Sequence, residues 1–389
     1  MTIFEAAAAT HGNFVLQVVW VILVAVLWIG FFVLEGFDFG VAMLVPFLGK
    51  GDKGHDDQAR RVVINTIGPH WDANEVWLLT AGGAMFAAFP GWYATLFSGL
   101  YLPLFLVLLG LIVRGVAFEY RSKREAATWR RSWDWAMAIA SFIPPLVLGV
   151  GFANFIQGVP IVKVPTDFGT EIPVVAATIV AEGNPIMALL LLFTPFTIVG
   201  GLLFVSLFLA HGAFFIALKT KGAVHERSQQ YGNILSIVAA VIALAFVVWA
   251  NLGFFGKLDA KWAGLENYNV QIIPAILVWI VGAVAVVALA LAWFMNSKKR
   301  DGWAFISTTL AIAMLTVMMF LHFVPGLGFA NEINLTNVSS SEHTLTLMTI
   351  AAGCLVPVVL AYTAWAYFFV FRRRLNTTNI PALTVNTQD

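Results

Sequence analysis

Apolar residues in this chain come in long runs. Nine of them, at about 14–48, 62–89, 92–116, 133–158, 186–217, 232–256, 271–295, 303–325 and 344–371, each reach the roughly 20 residues that a helix needs to cross a hydrocarbon core. The first is too long for one perpendicular crossing, since its residues at about 1.5 Å each would extend about 50 Å. Its last turns are expected to tilt, bend or leave the membrane. Composition agrees with the pattern: 60% of residues are hydrophobic, 11% are charged and the mean hydropathy is +0.85, against about 25% charged in soluble domains. The chain reads as an all-α, polytopic membrane protein.

Charge between the runs sets an orientation. One set of connections carries Lys50, Lys53, Arg60, Arg61, Arg114, Arg121, Lys123, Arg124, Arg130, Arg131, Lys219, Lys221, Arg227, Lys298, Lys299, Arg300, Arg372, Arg373 and Arg374, which is 19 of the 22 basic residues. Only Lys163, Lys257 and Lys261 fall on the other side. The positive-inside rule then puts the N-terminus outside and the C-terminus in the cytoplasm, which requires an odd number of crossings. A net charge of +1 argues against nucleic acid as a partner, because no basic excess is present to neutralise phosphates. Glu5, with no basic residue before the first run, lacks the n-region of a cleavable signal peptide, so the first run is expected to stay in the mature protein.

The segments Lys163–Asn184, Gly256–Val270 and Pro325–His343 are punctuated by Gly, Pro, Asn and Ser and read as loops. Asn334 and Asn337 match the Asn-x-Ser/Thr pattern, which is short and weak. The tail from Asn376 to Asp389 is polar, no repeat is visible, and the single Cys354 reads as a small packed hydrophobe.

Chemistry concentrates in GPHWDANEVW, residues 68–77. His70, Asp72 and Glu75 lie inside an apolar run, where ionisable groups are costly and persist by pairing or by lining a polar path. On a continuous helix entered at Arg60 and Arg61 they would lie about 15–22 Å along it, near mid-membrane. Gly68-Pro69 can open the backbone ladder beside them. Asp72 and Glu75 are three apart and would share a face, where like charges oppose joint ionisation.

A second acidic pair, Glu35 and Asp38 in LEGFDFGV, is also three apart. Gly36 and Gly40 on another face would let a second helix approach closely. Arg114 interrupts the end of its apolar run and is a natural counter-ion for one of these carboxylates, or snorkels to the interface. Asp134, between Trp133 and Trp135, opens the fourth run and either caps that helix or accepts from a basic neighbour. Of the seven histidines, His70, His211 and His322 lie in runs. An axial haem pair needs two side chains facing each other from neighbouring helices, which sequence does not establish for any of them.

The segments GFDFGV (36–41), GPHWDANEVWLLTAGGAMFAAFP (68–90), GVAFEYRSK (115–123), WRRSWDW (129–135), SFIPPLVLGVGFANFIQGVP (141–160) and TLTLMTIAAGCLVPVVLAYTAWAYF (344–368) resemble subunit II of the cytochrome bd-type quinol oxidases, in order and over nearly the whole chain. Ala73 stands where the family usually has Gly, and the family varies at His70.

That resemblance implies nine transmembrane helices: a four-helix bundle over 1–165, a second over 166–330, and an outer loop, a peripheral ninth helix and a cytoplasmic tail over 331–389. It implies a heterodimer in a bacterial or archaeal cytoplasmic membrane that oxidises quinol and reduces dioxygen to water, electrogenic without pumping protons. Haems b and d would belong to the partner, subunit I, with none ligated by this chain. By match to the family motif Asp72 is the foremost proton-path residue, with Asp38, His70, Glu75 and Arg114 near it. A structural quinone, held by subunit II in some members, and a small accessory subunit are left open. A proton-coupled secondary transporter would also use broken helices and midplane carboxylates, although no inverted repeat is visible.

Overall fold

The computed structural model describes residues 13–49, 57–159, 161–165, 171–175, 184–262, 275–323, 335–370 and 374–376. Glu5, Lys50, Lys53, Asn334, Arg372, Arg373 and the tail from 377 lie outside them.

Helices make up nearly all of the described chain. They are α1 (Phe14–Leu48), α2 (Asp57–Asn65), α3 (Trp71–Ala88), α4 (Pro90–Gly99), α5 (Tyr101–Tyr120), α6 (Ala127–Gln157), α7 (Pro185–Leu191), α8 (Pro195–Lys219), α9 (Ala223–Trp262), α10 (Ala275–Ser297), α11 (Asp301–Phe323), α12 (Leu335–Val338) and α13 (Glu342–Trp365). Among the described residues eight helical segments are long and apolar enough to cross a membrane: α1, α5, α6, α8, α9, α10, α11 and α13.

Several expected runs divide. The run at 62–89 is α2, a turn over Thr66–His70 and then α3, so the Gly68-Pro69 step interrupts the helix instead of kinking it. Residues 92–116 belong to α4 and α5, separated at Leu100. The run at 186–217 breaks into α7 and α8, where Thr194 and Thr197 form a reciprocal capping box and Pro195 takes the first helical position. The first run, by contrast, is one unbroken helix of 35 residues with Pro46 inside it.

Two loop expectations are corrected. Ile161–Pro165 pairs antiparallel with Glu171–Val175, because IVKVP and EIPVV are rich in the β-branched residues that favour extended backbone. Helix α9 continues through Gly256 to Trp262. Cys354 is exposed on α13, a correction that follows from how little of this helix packs against the rest of the chain.

Helix α8 is the hub, packed against α1, α6, α9 and α11; α1 also packs on α3 and α6, α5 on α6, and α10 between α9 and α11. The α1–α8 crossing is tight. A Cβ on Gly40 would overlap the Phe208 carbonyl, and one on Gly36 would come within 2.9 Å of the Phe208 ring, so backbone meets backbone as the GFDFG spacing suggested.

Candidate functional site: a buried guanidinium among carboxylates

Helices α1, α3 and α5 converge on Arg114. Its side chain is fully buried and forms ion pairs with Glu35 of α1 through Nη1 and with Glu75 of α3 through Nη2, the latter at 2.6 Å. The guanidinium carbon stands 4.8 Å from the ring centre of Phe39 and 5.8 Å from that of Trp71, close enough for both rings to add cation–π attraction. Arg114 is therefore not one of the loop charges and does not snorkel.

Asp38, one turn beyond Glu35 on the same face of α1, is also fully buried. Its Oδ2 accepts a hydrogen bond from Asn74 Nδ2 at 2.7 Å. The Asn74 Oδ1 in turn accepts from the Tyr367 hydroxyl at 2.9 Å. His70 Nδ1 lies 3.3 Å from that hydroxyl and 3.4 Å from Asn74 Nδ2. Phe37 backs the network, stacked on Phe215 at 4.0 Å and edge-on to His70 and Tyr367.

The structure thus brings together four of the five residues singled out in the sequence: Asp38, His70, Glu75 and Arg114. Asp72 stands apart. It lies in the first turn of α3, not 15–22 Å along a helix, because the helix starts anew at Trp71. Its side chain is exposed and Oδ1 accepts from the Ala73 N–H at 2.8 Å. Three helical positions rotate a side chain by about 60° from its start, and the boundary between inner and outer face falls within that arc. Asp72 heads an outward stripe with Val76, Leu79 and Phe86, and a Cβ added at Gly83 would meet nothing within 4 Å.

Asp134 accepts from Arg60 Nη1 at 2.8 Å and from Arg121 Nε at 2.6 Å, while Asp57 takes Arg121 and Arg130, each at 2.7 Å. It caps nothing, since α6 begins at Ala127, about two turns earlier. Five charges thereby fasten the starts of α2 and α6 to the end of α5.

His211 has both ring nitrogens engaged, Nδ1 with Thr308 Oγ1 at 2.7 Å and Nε2 with the Val33 carbonyl at 3.1 Å. The Phe305 ring stacks on it at 4.5 Å. His322 Nδ1 lies 3.0 Å from the Met318 carbonyl. The His322 bond lies within α11, whereas His211 is held between helices by both nitrogens, an arrangement that does not suit an axial haem ligand, which needs a nitrogen turned toward the metal.

The family model for cytochrome bd terminal oxidase subunit II matches residues 16–370. The chain belongs to that family. It is 39% identical over 362 residues to the cytochrome bd ubiquinol oxidase subunit 2 of Bacillus subtilis, covering 92% of this chain and 96% of that one. It is 38% identical over 381 residues to the cytochrome bd-I ubiquinol oxidase subunit 2 of Escherichia coli K12, covering 92% and 95%. Among solved structures, a chain of the bd oxidase from Geobacillus thermodenitrificans superposes with a TM-score of 0.66 at 16% identity, over 92% of this chain and 99% of that one; at that identity the likeness speaks to the fold. Membership in the bd oxidase family displaces the secondary-transporter reading.

Asn74 and Tyr367 went unnoticed in the sequence. Asn74 sits four residues after His70, a spacing that shares a face, but an amide does not titrate and so does not stand out as a costly group in an apolar run. Tyr367 lies 297 positions from His70, beyond any local signal.

Proposed function

We propose that this chain is the subunit without haem ligands in a quinol:oxygen oxidoreductase, partnered by a haem-bearing subunit I, and that the Arg114 cluster handles protons drawn from the cytoplasm. The observation that carries this is a charge imbalance: Glu35, Asp38 and Glu75 gather about one guanidinium, three of the four groups being fully buried. One guanidinium neutralises one carboxylate, and surplus charge away from water is costly unless protons accompany it. Reduction of dioxygen to water consumes about four protons per O₂, which positioned acids can relay. The relatives are named ubiquinol oxidase subunits; in this reading quinol is oxidised, dioxygen is reduced, and a potential arises because the protons come from one side.

Haems b and d belong, in this reading, to subunit I; the engaged nitrogens of His211 support that division. Asp72 acts at the seam with subunit I, since it is exposed at the head of an apolar stripe on α3. A second reading of Asp72 rests on its bond from the Ala73 N–H: a carboxylate in a first helical turn is favourable against the macrodipole and needs no other role. In the membrane we count α3 as the ninth crossing, its 18 residues extending about 27 Å. We read α1, α3, α5 and α6 as one bundle, α8 to α11 as the other and α13 as peripheral. A division after residue 165 falls between the paired strands, so the hairpin joins the two halves. The N-terminus outside and the C-terminus in the cytoplasm follow from loop charge.

The test is Glu75→Gln in the intact complex. Quinol oxidase turnover is expected to fall about 10²-fold, the low end for acid–base relays, with the haem absorption bands retained. A parental rate in a haem-replete complex would overturn the assignment.

A further inference from the structure

Helix α13 packs poorly along its length. Leu345 is its one buried residue between Glu342 and Trp365, and Leu355, Val358, Tyr362 and Trp365 all stand exposed. It is fastened at its two ends. Near its start, Trp20 Nε1 donates to the Leu345 carbonyl at 3.2 Å and to Thr349 Oγ1 at 3.0 Å, and the Ser340 N–H and hydroxyl donate to the carbonyls of Ala88 and Ala87 at 2.9 and 2.6 Å. Beyond its end, Leu375 lies parallel to Thr220 in a single β-bridge. Its N–H donates to the Lys219 carbonyl at 2.7 Å and its carbonyl accepts from the Lys221 N–H at 3.0 Å.

Between α13 and that clip the backbone widens into a π-helical turn, Ala366–Val370. Such turns are rare and concentrate at functional sites. Here the turn brings the Tyr367 hydroxyl to Asn74 and leaves Phe368 and Phe369 exposed. That hydroxyl decides an orientation. An amide offers donors on one side and an acceptor on the other; the Asp38 carboxylate calls for the Asn74 donor, and the phenol, by donating to Asn74 Oδ1, holds the amide in the one sense that satisfies both neighbours.

We propose that Tyr367 is a positioning residue for Asp38, acting through Asn74, and that α13 with its Leu375 clip is a strap that delivers the hydroxyl to that place. The effect on turnover rests on the proton-relay reading above; the effect on the Asp38 carboxyl does not.

The test uses the intact oxidase complex and two readouts, turnover and infrared difference spectroscopy, the Asp38 band being the one lost in Asp38→Asn. Tyr367→Phe keeps the ring beside Phe37 and His70 and removes only the hydroxyl. Turnover should fall about 2- to 10-fold, the range one net hydrogen bond gives, with the haem bands unchanged and the Asp38 band displaced. Asn74→Ala should do the same, and the double variant should be no worse than the worse single, because both cut one chain of bonds. An unmoved Asp38 band, or losses that multiply independently, would show that Tyr367 merely tethers the strap and would overturn the proposal. Should Tyr367→Phe fail to assemble, Leu375→Pro removes the donor to Lys219 and must displace the same band, an unmoved band again being fatal. Parental turnover in Asp38→Asn would end the relay reading separately, with band displacement still deciding the role of Tyr367.

Discussion

Arg114 has two carboxylates to itself and no water-facing surface, which makes its loss costly. Arg114→Leu strands Glu35 and Glu75 without a counter-charge, and breaking a buried pair costs about 3–5 kcal/mol. We expect the yield and thermal midpoint of the solubilised complex to drop sharply. Arg114→Lys should recover only part, because an ammonium lacks the fork that reaches two partners; a lysine variant of parental stability would refute the bridging role. Asp72→Asn is the sharpest comparison at this scale. The amide can still accept from the Ala73 N–H, so a purely helix-stabilising Asp72 predicts a near-parental rate, and the relay role predicts a fall of about 10²-fold with partial recovery in Asp72→Glu. We expect the fall. The acids themselves were legible in the sequence but not which way each faces: Asp72 and Glu75 share a pattern, and only the approach of α5 separates them.

Among the elements, the existence of the helices was legible because apolar runs of spanning length have few other solutions. Their breaks were less so. Pro69 announced an interruption yet not its width, and nothing marked Leu100 as the joint between α4 and α5. The strands at 161–175 were hidden because short β-branched segments look alike in loops and hairpins. Close packing gives a paired prediction. Gly40→Val would set a side chain into the Phe208 backbone, where nothing flexible can yield, and should abolish assembly. Gly83→Leu meets open space within this chain and should leave its own fold intact, while lowering recovery of subunit I in affinity purification if that stripe is the docking face. Unchanged recovery would place the partner elsewhere.

At the level of the whole molecule, the proposed orientation rests on loop charge alone, and family resemblance carried the activity, which no pattern of apolar runs could name. Orientation is checked by single cysteines in the 298–301 connection, labelled in intact cells. Cys354 is exposed and must first be removed as Cys354→Ala. Reaction only after the inner membrane face is made accessible is expected, and labelling from outside would invert the topology. The Arg114 cluster also bears on how the protein is made. Glu75 leaves the ribosome 39 residues ahead of Arg114, about 2–8 s at ordinary rates of synthesis, and Glu35 earlier still. An arginine entering a bilayer alone costs about 2.5–3.5 kcal/mol at a helix centre; here both of its acids are already waiting. Insertion of α5 is thereby conditional on its predecessors: in a translocon assay it should integrate more efficiently behind α1 to α3 than by itself, and Arg114→Leu should erase the difference.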